Sequence, residues 1–476
     1  MGGVELQFVA ASRQVIGMAL DEPVLEAIYE RKVRENQRLK EENAQLKSEL
    51  AQLRAELAKA LKRLEELERT NARQTAPFRR RKKSGDGRPG RKPGFRGTQR
   101  PRPPQIDHEI EVPLDPTCPQ CQCPLDELRP LTQIIEEIPP LRPEVTRLTT
   151  WQATCPCCGE QVRSTHPLQV SQAQGAAGVH LGPRATALAT VLKSHFGLTL
   201  RKVSAVLRQG FGLSLSAGGI AHLLHRLADK ARPQHQELLK QIRTSPAVYA
   251  DETSWYVGQP DYWLWVFTTP QYTLYHVDES RGRPVAENIL GQDFSGVLVT
   301  DCASMYANIP CPQHKCIAHH LRKLGECRLR EDTKDTTYLD AWEKFWQEVI
   351  QLNKARDVLP AETFTAQHAA LRSRMETLMG QEVSQIGDKK FRTRMQNAQR
   401  HLLGCLEYPV EPTNNRAERA IRPAVIARKV SCGNKTPRGA TTWEILASQC
   451  ATLQQQGRDL LANLAHLVKL QPMLAR

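Results

Sequence analysis

Three carboxylates in this 476-residue chain stand where metal-assisted chemistry would want them: Asp251, Asp301 and Glu418. Asp251 lies inside a strand-like run at residues 247–253. Asp301 ends the short apolar run Gly296-Val297-Leu298-Val299-Thr300-Asp301. Two carboxylates on neighbouring strands repel unless a cation sits between them, and oxygen-only ligands select a hard ion such as Mg²⁺ or Mn²⁺. Two such ions roughly 3.5–4 Å apart can activate a water or a 3′-hydroxyl and stabilise the leaving oxygen. A third acid from a later helix completes such a pair, and Glu418 is the candidate. Glu252, Asp278 and Glu279 compete for the role, with Glu252 pointing to the opposite face of its strand from Asp251.

Glu418 is the one acid in Pro412-Thr413-Asn414-Asn415-Arg416-Ala417-Glu418-Arg419-Ala420-Ile421-Arg422-Pro423. Thr413 or Asn414 can cap a helix start here, and Pro423 is expected to kink or end it. Asn414, Asn415, Ile421 and Arg422 then share a face with Glu418. Read alone, the segment offers only an exposed Glu418–Arg422 ion pair worth about 0.3–0.5 kcal/mol.

The surrounding pattern supplies the scaffold. Residues 247–253 and 255–257 read as strand, then a turn at Gly258-Gln259-Pro260-Asp261, then strands at 262–267 and 272–277. A helix over 283–290 precedes the apolar strand of Asp301, which reads as buried on both faces, as in parallel pairing. Three hairpin-linked strands, a crossover helix and a fourth strand make the arrangement of a ribonuclease H-like fold. Its first and fourth strands place acids side by side. A long helical stretch, including 338–353 and 361–380, separates Asp301 from Glu418 as an insertion at about 318–408. Closing helices read at 443–456 and 459–470. Cys302, Cys311, Cys316, Cys327, His314, His319 and His320 lie near, but their scattered spacing suits buried thiols and phosphate-facing histidines better than a second metal. His319 is a candidate DNA contact. Arg419, Arg422, Arg428, Lys429, Lys435 and Arg438 form a basic group suited to phosphates.

Upstream the chain reads as several further modules of a multidomain α/β protein. After an uninformative segment at 1–29, residues 30–76 carry heptads. Leu50, Leu57 and Leu64 fall at position a and Leu39, Leu46, Leu53 and Leu67 at d, with Asn36 and Asn43 also at a, which favours a parallel homodimer or higher oligomer. Residues 77–105 form a basic linker. Between 79 and 102 it holds eleven Lys or Arg against the single acid Asp86, which supplies ten of the chain's net +15. Arg79, Arg80, Arg81, Lys82 and Lys83, with Arg91 and Lys92 in Gly-Arg-Lys-Pro-Gly, suit salt-dependent binding to DNA phosphates or entry into a minor groove. In 106–170, Cys118-Pro-Gln-Cys121 and, after 33 residues, Cys155-Pro-Cys-Cys158 suit a structural Zn²⁺ on four thiolates, with 134–138 and 145–151 expected as a hairpin between them. Cys123 and Cys157 leave the ligand choice open. Residues 175–235 read as three helices (185–195, 201–207, 216–227), with the glycines of 209–214 placed as in a helix-turn-helix DNA-binding unit. The catalytic region is expected to span 240–476. No apolar run is long enough to span a membrane, no signal peptide is read, and thiols in CxxC spacing favour a reducing cytoplasm.

Asp251-Glu252-Thr253, Val299-Thr300-Asp301 with Tyr306 after it, and Asn414-Asn415-Arg416-Ala417-Glu418-Arg419 resemble the insertion sequence 66 family of DDE transposases. Cys316-Ile317-Ala318-His319-His320-Leu321-Arg322-Lys323 resembles that family's Cys-Trp-Ala-His-x-Arg-Arg-Lys stretch, and the upstream modules follow the family's order. The resemblance implies Asp251, Asp301 and Glu418 as the catalytic triad, with double-stranded DNA, both element ends and target, as substrate. It further implies cleavage followed by 3′-hydroxyl strand transfer, companion proteins encoded by the element, and a bacterial, nucleoid-associated location. Cys302 stands where the family has glycine, and Ile317 and Leu321 replace its tryptophan and first arginine.

Overall fold

The computed structural model describes residues 22–75, 101–125, 129–139, 141–164, 166, 169, 180–331 and 333–469. Arg79, Arg80, Arg81, Lys82, Lys83, Arg91 and Lys92 fall outside them, with most of the basic linker. The described residues divide into two units, Met1–Ile135 and Glu136–Arg476.

In the first unit, helix α1 (Glu22–Thr75) runs unbroken through the heptads. Neither glycine nor proline interrupts it after Pro23, and at about 1.5 Å per residue it is roughly 80 Å long. Leu39, Leu46, Leu50, Leu53 and Leu57 are all exposed in the single chain, at 45–65%. Further on, the Cys118 turn is closed by the Cys118 amide donating to the Cys123 carbonyl and the Gln122 amide to that of Cys118.

Residues 134–138 and 145–151, expected as a hairpin, form no strand. Ile135, Ile138, Val145 and Trp151 remain exposed and outside any strand. Apolar residues favour a strand only where another strand and a covered face receive them. The pairing lies instead at β1 (Gln152–Thr154) and β2 (Gln161–Arg163), which bracket the Cys155 turn.

Three helices follow: α2 (Pro183–Thr190), extended by a π-turn through Val191–His195, then α3 (Leu200–Phe211) and α4 (Ala217–Arg243). Gly212, at φ 66°, ends α3 in the left-handed conformation that glycine adopts without penalty, and Ser216 caps α4. Leu207, Ile220 and Leu224 pack with Ile445, Leu446 and Leu464 from the end of the chain, so the three helices share a core with the closing helices.

The central sheet holds β3 (Ala247–Val257), β4 (Gln259–Thr268), β5 (Thr273–Asp278), β6 (Val297–Thr300) and β7 (Gln313–Lys315), in spatial order β5-β4-β3-β6-β7. The first three are antiparallel neighbours, while β6 is parallel to β3 and β7 to β6. Helix α5 (Arg283–Leu290) makes the crossover to β6, which is buried along its whole length. Alternation sorts the side chains of β3. Val248 and Ala250 enter a core with Ile242, Val285 and Leu298, and Tyr249 enters the opposite one with Val299, Ala417 and Trp443.

The fifth strand was hidden in the sequence because Gln313, His314 and Lys315 carry no apolar signal, although all three are buried. It precedes the expected run of helices. The insertion then comprises α6 (Ile317–Arg328), α7 (Thr337–Lys354), α8 (Ala361–Gly380), α9 (Ile386–Ala398) and the single turn α10 (Gly404–Glu407). Trp342, Phe345, Trp346 and Phe391 are fully buried at its centre.

Helix α11 (Asn415–Ser431) carries Glu418 and passes through Pro423 without ending. One lost backbone bond is outweighed by the burial of Ala417, Ile421, Ala424 and Val425 against the sheet. Cys432 (φ 58°) and Gly433 (φ 93°) turn the chain, and a Cβ on Gly433 would come 2.5 Å from the Tyr256 carbonyl oxygen. Helices α12 (Pro437–Gln455) and α13 (Leu460–Lys469) close the fold. The free edge of β5 is sealed by α12. Its Glu444, Ser448 and Thr452 accept from the backbone amides of Val277, Tyr275 and Thr273. Four helical residues rise about 6 Å and two strand residues about 6.6 Å, so the two periods match. No helix among the described residues is long and apolar enough to cross a membrane.

Candidate active site

Tyr249 is in register with Val299 across the parallel β3–β6 pair. Two residues further on come Asp251, still within β3, and Asp301, just past the end of β6, close enough for the charge of Asp301 to act on Asp251. Helix α11 covers the Tyr249 face of the sheet. Two anchors hold it there. The side-chain amide of Asn414, just before the helix, donates to the Ala250 carbonyl at 2.8 Å. Toward the other end, the Arg428 guanidinium donates to Thr253 Oγ1 at 3.0 Å and Ser254 Oγ at 2.6 Å. Arg428 therefore belongs to the packing of α11 on β3 and not to a phosphate-facing surface, a role its basic neighbours had suggested. Glu418 lies one turn into the helix, with Oε1 buried and without a hydrogen bond, 3.6 Å from His319 Nε2.

The loop before α11 is pinned at several points. His314 Nε2 donates to the Pro412 carbonyl at 3.1 Å while its Nδ1 accepts from the Cys405 amide, and burial holds this imidazole neutral, its pKa lowered to about 4. The Asn414 amide donates to Cys316 Sγ at 3.0 Å, and the Ile317 amide to the Pro412 carbonyl. Arg416 pairs with Glu411, whose own amide donates to the Tyr249 hydroxyl. None of these contacts, nor the burial of Asn414, was apparent from residue types.

Protein atoms crowd Asp251, although part of its surface stays accessible. Burial, then the charges of Glu252, Asp301 and Glu418, raise its carboxyl well above the usual range. Glu252 faces the other side of the strand, where Arg281 holds one of its oxygens at 2.8 Å and the Tyr306 hydroxyl the other at 2.7 Å. Asp301 accepts the Ala303 amide at 2.8 Å. On the far side of β6, Lys315 donates to Thr300 Oγ1 at 2.9 Å, and burial lowers its pKa to about 8. His319 is held below its ordinary value, chiefly by burial. Arg419 and Arg422 lie exposed on α11.

Among the described residues, no three His, Cys, Asp or Glu side chains are gathered as the ligands of one metal ion would be. The donor set nevertheless fits a hard cation: all-oxygen ligands, an orphaned buried oxygen on Glu418, and an Asp251 carboxyl destabilised by three like charges. Each cysteine turn, taken by itself, aims amides at a sulfur: those of Cys121 and Gln120 at Cys118, and those of Cys158 and Cys157 at Cys155, which lowers both thiols.

A stability test follows from Asp251. The folded state keeps its proton to higher pH than the unfolded chain, whose value is near the ordinary 3.8. Folding stability therefore falls as pH rises from that value through the raised one, and below it the penalty vanishes. Without metal, Asp251→Asn is expected to unfold at a higher temperature than the parent near pH 8, with the two converging toward about pH 4. Thermal unfolding in EDTA reads this out, and a parent as stable as the variant at pH 8 contradicts it.

The uncharacterized protein y4qI of Sinorhizobium fredii (strain NBRC 101917 / NGR234) is 27% identical to this chain over 318 residues, 58% of this chain and 57% of that protein. The match thus spans little more than half the length of that curated relative. The family model described as Transposase IS66 family matches residues 178–442, a span that starts before α2, takes in the whole sheet with Asp251 and Asp301, and runs past Glu418. By that match over more than half its length, the chain belongs to the IS66 family of transposases.

Proposed function

We propose that this chain is a metal-dependent DNA transposase with a ribonuclease H-like catalytic sheet, which cleaves the ends of its own element and joins them to target DNA. The observation that carries this reading is that Asp251 and Asp301 each lie two residues beyond the last paired residues of β3 and β6, Tyr249 and Val299, under a helix that presents Glu418, one of whose oxygens is buried without a hydrogen bond. Asp251, Asp301 and Glu418 would hold two Mg²⁺ or Mn²⁺ ions. Bound there, the ions supply Lewis-acid activation of a water or 3′-hydroxyl and stabilise the leaving oxygen. Asn414 and Arg428 keep Glu418 over the strand acids, and the neutral His314 holds the preceding loop in place. His319, beside Glu418, and the exposed Arg419 and Arg422 face the DNA.

The supporting modules are part of the proposal. Helices α3 and α4 form the helix-turn-helix, and the basic linker with Arg79–Lys83, Arg91 and Lys92 binds phosphates without sequence preference. A second copy covers the exposed leucines of α1. Cys118, Cys121, Cys155 and Cys158 bind one structural Zn²⁺. The protein acts in the bacterial cytoplasm at the nucleoid, with element-encoded companion proteins. Zinc analysis of the purified protein is expected to give one ion per chain, and Cys155→Ser to abolish it. Full zinc retention in that variant contradicts the assignment.

The central experiment incubates purified protein with Mg²⁺ or Mn²⁺ and a duplex carrying the sequence that flanks the element. Cleavage and joining are expected. Binding without either reaction would mark a DNA-binding regulator with an inactive catalytic domain, and cleavage that never joins would mark a nuclease or resolvase.

A further inference from the structure

The parallel β3–β6 ladder stops one rung short of the acids. The Val297 amide donates to the Pro246 carbonyl at 2.9 Å, so the alternate carbonyls of Pro246, Val248 and Ala250 all point toward β6. In a continued ladder the amide that meets the Ala250 carbonyl would be that of Asp301, two positions past Val299. Asn414 takes that place, its Nδ2 donating to the Ala250 carbonyl at 2.8 Å. Its backbone amide is held from the β7 side. It donates to Cys316 Sγ at 3.0 Å, while the Cys316 amide donates to the Thr300 carbonyl at 2.8 Å. The side-chain amide of Asn414 is therefore lodged between the ends of β3 and β6, where Asp251 and Asp301 stand.

The other half of that amide is unused. Asn414 is fully buried, and its Oδ1 receives no hydrogen bond. Exchanging the two amide atoms would not relieve this, because an oxygen has nothing to donate to the Ala250 carbonyl. Among the described residues, five side-chain oxygens are buried without a hydrogen bond, on Gln234, Gln313, Asp388, Asn414 and Glu418. Only those of Asn414 and Glu418 stand one turn apart, where the Glu418 amide donates to the Asn414 carbonyl at 3.1 Å, and so share a helix face. A buried oxygen without a donor is costly. Carboxylate and carbonyl oxygens together are the donor set of a hard divalent ion. A neutral amide also adds an oxygen to the three acids without adding a fourth negative charge.

We infer that Asn414 Oδ1 is a fourth protein oxygen of the divalent-ion site formed by Asp251, Asp301 and Glu418. The inference rests on the proposed assignment of those acids to metal. One planar group then has two tasks: Nδ2 seats α11 on β3, and Oδ1 meets the ion.

The test uses the full chain with its asparagines carrying the magnetic isotope of carbon at the side-chain carbonyl. The protein is loaded with Mn²⁺ and read by electron–nuclear double resonance. The manganese spin should couple to a labelled carbon, with the strength of a ligand's carbon, in the parent and in Asn415→Ala. In Asn414→Ala that coupling should be lost, each protein being measured at the Mn²⁺ concentration that saturates it. A residue that only positions the helix gives no such coupling. Titration read from the signal of free Mn²⁺ should also show Asn414→Ala binding the ion about tenfold or more weakly, since even the outer partners of metal ligands are worth that much. Unfolding curves establish that the variants fold, and if the alanine variant does not, Asn414→Ser takes its place. Bound Mn²⁺ without the coupling in the parent, or a coupling that survives substitution of Asn414, overturns the inference and leaves the three acids as the metal site. A parent that binds no Mn²⁺ overturns the inference together with the metal assignment. Coupling in a parent that neither cleaves nor joins DNA would keep Asn414 as a ligand and count against the transposase reading.

Discussion

Asp301→Asn is expected to lower strand cleavage by about a thousandfold or more while leaving affinity for end-bearing DNA within a few-fold of the parent. On the proposed assignment Asp301 would hold metal, so its loss removes several kcal/mol of transition-state stabilisation, and each 1.4 kcal/mol or so is tenfold in rate. Asparagine is the informative replacement. Its side-chain oxygen can still accept the Ala303 amide that Asp301 takes at 2.8 Å, so the turn after β6 survives. The substitution also removes one of the charges that raise Asp251, so the metal-free variant should be no less heat-stable than the parent. Glu418→Gln should behave in parallel. Cleavage by gel and affinity by fluorescence anisotropy, on the same preparation, separate the two effects. Parent-level cleavage by folded Asp301→Asn would remove Asp301 from the catalytic assignment. Equal losses of binding and cleavage would make it a DNA-positioning residue instead.

What could be read from the sequence were features with a strong local period. The crossover helix falls at Arg283–Leu290, where the apolar spacing puts it, and the apolar run before Asp301 is a buried parallel strand. The extended helix Glu22–Thr75 follows its leucine heptads. Features that depend on distant parts of the chain were illegible. Strand β7 is built from Gln313, His314 and Lys315, whose polar atoms find partners only after the loop at Pro412, the α10 turn and Thr300 have come alongside. The hairpin expected near 134–151 fails for the converse reason: its apolar residues suit strands locally, but no covered face receives them. Within the candidate site, Asp251 and Asp301 were legible as candidates because a carboxylate at an apolar strand is anomalous. The residues that aim them were not. Arg428 looked like one more surface cation and instead hydrogen-bonds to Thr253 and Ser254.

Asn414→Ala carries the second large effect, because this residue converts sheet register into the position of Glu418. The β3–β6 ladder ends at Tyr249, and the next carbonyl, that of Ala250, is taken by the Asn414 side chain. Only a donor can meet a carbonyl, which fixes the orientation of the amide. Asn414 is fully buried, so alanine leaves the Ala250 carbonyl short of a partner in a site closed to water, at about 1–3 kcal/mol of stability. The activity effect should be larger in proportion. Glu418 follows one turn later, and a shift of about 1 Å in a catalytic group can cost about a hundredfold in rate. Asn414→Asp should be worse, since it sets an acceptor against a carbonyl and adds an acid beside a cluster that already raises Asp251. The exposed neighbour supplies the control: Asn415→Ala should change neither unfolding temperature nor cleavage appreciably, because what Asn415 offers Arg419 is its backbone carbonyl. Unfolding temperature and single-turnover cleavage of the three variants decide the matter. An Asn414→Ala protein with parental cleavage would show that α11 finds its place by apolar packing alone. A variant destabilised but equally active would confine Asn414 to the fold.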